Sequence, residues 1–267
     1  MLEYSTKGWD NMILAIDIGN TNIVIGKYDA GELVYVARMV TDAHKSESEY
    51  AVNIKSILSL DKTGSFEISG AIISSVVPPL TKNIQNAIKM LYDVDALIVG
   101  PGIKTGINLQ VDNPSQVGAD LICACVAAYS KYPTPALVID MGTATKIMVV
   151  DEKGTFMGVS IAPGVEISLK ALSGGTAQLP QISLDAPSRV IAKNTVECMK
   201  SGVVFGNASM LDGMIERIEK ELGTSATHIA TGGYAKAIVP HCKNNITIDD
   251  NLVLDGLYIM YQKNAKN

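Results

Sequence analysis

Apolar residues run from Ile13 to Ile16, stop at Asp17, Gly19 and Asn20, and resume from Ile23 to Ile25. This pattern predicts a strand, a tight turn and a second strand, with Asp, Asn and Thr at the tip. Glu32 to Val40 continues as a third strand, followed by a helix around Glu47 to Leu60 and a buried strand from Ala71 to Val77. Pro78 and Pro79 suit a helix start, because the first turn needs no amide donor from them, and Leu80 to Tyr92 carries amphipathic spacing. Asp95 to Val99 is a further strand.

A Gly- and Asn-rich connector, Gly100 to Pro114, then leads into an apolar helix over Ser115 to Tyr132 that Pro133 and Pro135 end. The connector is the best domain boundary, giving one domain over 12–114 and another over 115–267. Residues 1–11 are polar and aperiodic and read as an extension ahead of the first strand. Beyond the boundary the opening device returns: a β-rich run from Ala136 to Asp140, the turn Asp140-Met141-Gly142-Thr143-Ala144-Thr145, and a second β-rich run from Ile147 to Val150. A long helical region from Asn194 to Leu222, a strand from His228 to Thr231 ending in Gly232-Gly233, and a terminal helix over Leu252 to Lys263 complete the chain. The second half repeats the first in outline, and the class is α/β with mixed sheets flanked by helices.

A length of 267 residues supports a full hydrophobic core, so the fold needs no staples. The net charge of −5, with no long basic run, argues against nucleic acid and anionic membranes as partners and for small molecules. No apolar stretch has transmembrane length and the N-terminal residues lack signal-peptide order, which places the protein in the cytoplasm. Cys123, Cys125, Cys198 and Cys242 include no Cys-x-x-Cys, and His44, His228 and His241 are scattered, so reduced thiols are expected rather than a disulfide or metal framework. Met210 and Met214, at helical spacing, read as core or dimer-contact residues.

The two Asp-x-Gly turns have the chemistry of phosphate sites. Gly19 and Gly142 carry no Cβ to keep a phosphate from the backbone, and Asn20, Thr21, Thr143 and Thr145 offer amides and hydroxyls to its oxygens. Asp17 and Asp140 add the carboxylates. Mg2+ takes one or two carboxylates plus phosphate oxygens and keeps several waters, so one Asp per turn suffices. An Asp-x-Gly-Asn hairpin can equally be only a turn, favoured for its backbone angles. Its recurrence, with Thr231-Gly232-Gly233 at a third strand end, favours nucleotide binding.

Asp17-Ile18-Gly19-Asn20-Thr21-Asn22 resembles the first phosphate motif of the type III pantothenate kinases. Ser74-Ser75-Val76-Val77-Pro78-Pro79, Gly100-Pro101-Gly102-Ile103-Lys104-Thr105-Gly106, Asp112-Asn113-Pro114, Gly118-Ala119-Asp120, Ile161-Ala162-Pro163-Gly164, Lys193-Asn194-Thr195 and Ala230-Thr231-Gly232-Gly233 follow that family in order. The resemblance implies two lobes of the actin and ribonuclease-H type, in the acetate and sugar kinase superfamily. It also implies a homodimer that phosphorylates pantothenate with Mg-ATP, in the first step of coenzyme A biosynthesis, assisted by potassium or ammonium. By position, Asp17, Ile18, Gly19, Asn20, Thr21, Asn22, Ile23 and Val24 form the first ATP turn, and Thr143 contacts ATP in the second. Asp140 holds the monovalent cation, and Asp17 aids Mg2+ through water. Gly118, Ala119, Asp120 and Thr195 meet the substrate, with Asp120 as general base. A primary alcohol must give up its proton as phosphoryl transfer proceeds, which suits a carboxylate among small residues. An ordinary first-turn acid stabilised by the helix dipole is the plainer reading of Asp120.

Several positions depart from the family pattern. Leu121 stands where the family has arginine, Val111 where it has tyrosine, Lys146 where it has threonine, and Val159 and Ala192 where it has glycine. Gly174-Gly175 replaces a bulkier pair. Leucine offers neither charge nor donor to the pantothenate carboxylate, so the acceptor side has lost contacts. Lys146 has two readings: its ammonium sits near Asp140 in place of the monovalent cation, or strand alternation turns it to solvent. The chain as a whole keeps three: a pantothenate kinase, a non-catalytic binding or regulatory paralogue, and a kinase for another small hydroxyl acceptor.

Overall fold

Alternation along the first strand decides which face is core. In β1 (Met12–Ile18), Met12, Leu14, Ile16 and Ile18 enter one hydrophobic cluster, which leaves Ile13, Ala15 and Asp17 on the opposite face. The structure is a computed structural model and describes residues 12–62, 67–176 and 178–265. The reading of residues 1–11 as an extension concerns residues outside this set.

β2 (Asn22–Asp29) and β3 (Glu32–Val40) follow β1 as antiparallel neighbours, while β4 (Ile68–Ser75) pairs with β1 in parallel and β5 (Leu97–Ile98) with β4. The order is β3-β2-β1-β4-β5. α1 (Glu47–Leu58) and α2 (Pro78–Tyr92) cover the face lined by Leu14, Ile16 and Ile73, and contribute Tyr50, Ile54, Leu80 and Ile84 to its core. Ser46 and Glu49 form a capping box at the start of α1, and Pro78 and Pro79 open α2 as predicted.

The second sheet joins β6 (Asn108–Leu109), β7 (Ala136–Met141), β8 (Ala144–Val150), β9 (Thr155–Pro163), β10 (Thr227–Thr231) and β11 (Thr247–Ile248) in the order β11-β10-β7-β8-β9-β6. Without β6 this is the first sheet's order again: an antiparallel three-strand meander with two parallel strands beyond its first member. The repeated turn in the sequence therefore reports a repeated topology. The helices that follow are α3 (Ala119–Lys131), α4 (Val165–Gly174), α5 (Thr195–Leu222), α6 (Ala235–Ile238) and α7 (Leu252–Asn264). Val165 of α4 and Val204, Leu211 and Ile215 of α5 bury Leu137, Ile139 and Met141, and Met210 and Met214 pack against this core.

The chain divides into two compact units. One holds the described residues up to Thr105 together with Val117–Cys123 and the chain from Val253; the other holds Gly106–Gln116 and Ala124–Leu252. A single cut at Pro114 differs from this division. α7 lies on the first sheet, where the absent Cβ atoms of Gly26 and Gly70 admit Leu254 and Tyr261, and Tyr28 stacks on Tyr258 with ring centroids 4.3 Å apart.

Three local expectations shift. The helix predicted from Ser115 begins at Ala119, because Asn113 Oδ1 accepts from the Ser115 amide and hydroxyl and closes a separate 3-10 turn over Pro114–Gln116. β9 was not expected, since its exposed positions Met157, Val159 and Ile161 are apolar and hide the alternation. α4 had no signal of its own ahead of Gly174-Gly175.

Candidate functional site

In the first unit the turn after β1 is held from several sides. The Gly19 amide donates to Asn22 O at 3.0 Å, the Thr41 hydroxyl donates to Gly19 O at 2.6 Å, and the Val76 amide donates to Ile18 O at 3.0 Å. A Cβ at Gly19 would lie 3.0 Å from Asn22 O, so a larger residue would press on the turn. Asn20 and Thr21 are exposed at the tip, Asn22 and Val24 are half-buried, and Ile18 and Ile23 are wholly buried in the core. Ile18 and Ile23 can therefore serve a ligand only through their backbone.

Asp17 sits at the end of β1, in register with Ser74 of β4 and on the face away from the core cluster. Asp120 lies in the first turn of α3, and the missing Cβ of Gly118 leaves the room that its Oδ1 occupies. One helical turn on, burial holds the Cys123 thiol well above its ordinary value, and the charges of Asp17 and then Asp120 add to this. That thiol stays protonated and is no nucleophile. The Cys123 thiol thus feels the charge of both Asp17 and Asp120, a link between the two motifs that sequence reasoning did not foresee. Leu121, the next residue, is 7% exposed and belongs to the packing.

In the second unit the equivalent turn follows β7. The Gly142 amide donates to Ala144 O at 3.2 Å, and the Tyr234 amide donates to Met141 O at 3.2 Å. Gly164 and Gly232 press on this turn from outside. A Cβ at Gly164 would overlap Thr143 O and stand 2.6 Å from Gly142 O, and one at Gly232, whose φ is +94°, would stand 2.7 Å from Met141 O and 2.8 Å from Asp140 Oδ1. Thr143 is exposed at the tip, but Thr145 is 1% exposed, and its hydroxyl has no hydrogen-bond partner among the described residues. Thr145 shares a strand face with Ile147 of the core, so it does not face the mouth of the turn.

Lys146, on the other face, is in register with Asp140, and its Nζ donates to Asp140 Oδ2 at 2.9 Å. Of its two readings the structure has the ammonium on the carboxylate. Tyr234, just past Gly232-Gly233, donates its hydroxyl to Glu166 Oε2 at 2.9 Å, and burial together with that carboxylate pushes it up to about 12.

Thr195 opens α5 behind the N-cap Asn194, whose Oδ1 accepts from the Glu197 amide at 3.0 Å. It lines a cavity of about 770 Å³ together with the apolar Leu172, Leu179, Met199 and Val203 and with Lys193, Asn194 and Cys198. That volume lies in the range of small-molecule sites. His228, away from these groups, lies 3.1 Å from Glu219 through Nε2. Among the described residues no helix is long and apolar enough to cross a membrane.

A family model described as type III pantothenate kinase matches residues 13–217. A type III pantothenate kinase from an Exiguobacterium strain is 42% identical over 255 residues, which cover 96% of this chain and all of that protein. One from Bacillus cytotoxicus is 40% identical over 254 residues, 95% of this chain and 97% of that protein. Among solved structures, component A of the (R)-2-hydroxyglutaryl-CoA dehydratase of Acidaminococcus fermentans is similar with a TM-score of 0.57 at 16% identity, covering 96% of this chain and all of the other. At that identity the likeness is one of fold, and the fold is that of the actin-like acetate and sugar kinases.

Proposed function

The chain belongs to the type III pantothenate kinase family, and on that footing we propose that it transfers the γ-phosphoryl group of ATP to the hydroxyl of pantothenate, the first step of coenzyme A biosynthesis. The bond from the γ-phosphorus to its bridging oxygen breaks as the acceptor oxygen bonds to phosphorus. The hydroxyl proton passes to Asp120, and ADP leaves. Asn20, Thr21 and Thr143, exposed at the tips of glycine-bearing turns, hold phosphate oxygens together with the turn amides.

The family's kinase activity uses ATP with a divalent metal. Asp17 fits that need, being a single half-buried carboxylate at the end of β1 beside a turn with exposed amide and hydroxyl groups. When bound, Mg2+ supplies positive charge to the phosphate oxygens. Gly118, Ala119, Asp120 and Thr195 meet the acceptor in this reading by their places in the family's motifs, and the cavity that Thr195 lines supports the part given to Thr195. A homodimer in the cytoplasm belongs to the same reading; exposed Val159, Ile161 and Ile191 on the second unit would be covered by a second copy.

The observation that carries the proposal is the double turn: Asp17 and Asp140 stand at equivalent strand ends of two sheets with the same strand order. A different small hydroxyl acceptor is the second reading, favoured by the buried, uncharged Leu121 in the family's arginine position. The test is release of ADP by the purified protein with Mg-ATP and pantothenate, beside Asp120→Asn. Turnover that falls by about 10²- to 10⁴-fold in the variant is expected. A wild-type protein without turnover at saturating pantothenate would remove the pantothenate assignment and leave another acceptor or a binding role.

A further inference from the structure

The family's monovalent cation does not fit the second turn of this chain as it fits the motif. Asp140 Oδ2 already accepts a hydrogen bond from Lys146 Nζ at 2.9 Å. The other oxygen, Oδ1, lies 3.4 Å from where a Gly142 Cβ would be and 2.8 Å from where a Gly232 Cβ would be, so a side chain at either glycine would crowd the carboxylate that Lys146 engages. Lys146 is not a surface lysine swinging in solvent. Its side chain is 20% exposed and that of Asp140 18%, and the strand register sets the two residues directly opposite each other. Alternation holds the arrangement, because Thr145 and Ile147 point to the core and leave Lys146 on the Asp140 face.

An added cation at this carboxylate would have to share it with a fixed like charge a few ångströms away, in a site only partly reached by water. We infer that Lys146 is the resident cation of this turn, a positioning residue whose ammonium replaces the added potassium or ammonium, so that phosphoryl transfer proceeds without a monovalent ion. The inference rests on the kinase reading for its activity arm only. A tethered ammonium carries the same unit charge as potassium, needs no binding step and cannot be diluted away. Its charge holds Asp140 in place at the turn that carries Thr143.

The test compares wild type with Lys146→Met and Lys146→Gln at constant ionic strength. The assay buffer is tetramethylammonium-based, with potassium or ammonium chloride added or withheld. Wild-type turnover within about twofold in the two buffers is expected, while the variants should lose about tenfold or more without the ions and recover most of it when ammonium or potassium is supplied. A second arm needs no turnover: binding of thallous ion, a potassium mimic, followed by its NMR signal and by thermal melting. The variants should bind it and melt later in its presence, and wild type should do neither. Wild type activated tenfold by potassium, variants that work as well without the ions as wild type, or thallous ion bound equally by all three proteins would each overturn the inference. Absence of turnover in every protein would count against the kinase reading alone, and the thallous-ion arm would still decide the role of Lys146.

Discussion

Replacing Gly164 with alanine isolates the contact that shapes the second turn. Gly164 has φ −69° and ψ 163°, an extended conformation that alanine adopts freely, so backbone strain does not enter. The added methyl would overlap Thr143 O and stand 2.6 Å from Gly142 O and from the carbonyl carbon of Thr143. Non-bonded heavy atoms settle at about 3.5 Å or more, so backbone on one side must retreat by about 1 Å. Those atoms are main chain of the turn and cannot rotate aside. Overpacking of this kind costs about 1 to 3 kcal/mol, or about 2 to 4 °C of melting temperature for each kcal/mol. Because the displaced residue is Thr143, a misplacement near 1 Å should also lower kcat/KM for ATP by about 10²-fold. The assay is paired: thermal melting, and initial rates over a range of ATP at saturating acceptor. Gly174→Ala serves as control, since nothing lies within 4 Å of its Cβ position and alanine is the better helix former at the last residue of α4. A Gly164→Ala protein that melted with wild type and kept its kcat/KM would refute the claim that this glycine clears the space for the turn.

Two further outcomes follow from charge placement. Burial alone raises the Asp249 carboxyl, but the Lys131 ammonium at 2.6 Å and the Tyr132 hydroxyl at 2.8 Å outweigh it and hold the group below its ordinary value. A depressed carboxylate stabilises the fold above its unfolded-state value and loses that contribution as pH falls through the folded value. Urea unfolding of Asp249→Asn should therefore show a deficit of about 1 kcal/mol at neutral pH that shrinks below about pH 4; an equal deficit at both would remove the charge from the explanation. Lys193 lines the same cavity as Thr195 and brings an ammonium to it that an acceptor carboxylate could meet. Lys193→Ala should raise KM for pantothenate about 10- to 100-fold, the worth of a charge-assisted hydrogen bond, with kcat nearly unchanged; steady-state kinetics in which kcat falls instead would place Lys193 elsewhere in the cycle.

Much of the fold was legible because its signals are local. The strand pair around Asp17, the helix opened by Pro78, the second turn at Asp140 and the long helix capped by Asn194 all stand where spacing and capping residues place them. β9 escaped because Met157, Val159 and Ile161 are apolar on the exposed side, which erases the contrast that marks a half-buried strand. The domain division escaped because what covers the first sheet is α7, and no local pattern tells a helix which sheet it will meet. At the site, the motifs gave Asp17, Asp120 and Thr143 their positions. The charge of Asp17 and Asp120 felt at Cys123, the burial of Thr145 and the engagement of Lys146 with Asp140 depend on strand register and on glycines distant in sequence, and became visible only in three dimensions.

The packing of α7 also sets an order of events. A methyl on Gly256 would collide with the backbone of Cys123, and Gly26 and Gly70 make room for side chains from the same helix. The first unit thus draws on three separate stretches of chain, the last of them beginning at Val253. During synthesis its strands and first helices emerge early but lack the cover of α7 until that helix leaves the ribosome. The second unit, drawn almost wholly from Ala124–Leu252, can close before then. The half made first is finished last, and a nascent chain halted short of α7 presents the apolar back of its first sheet to chaperones.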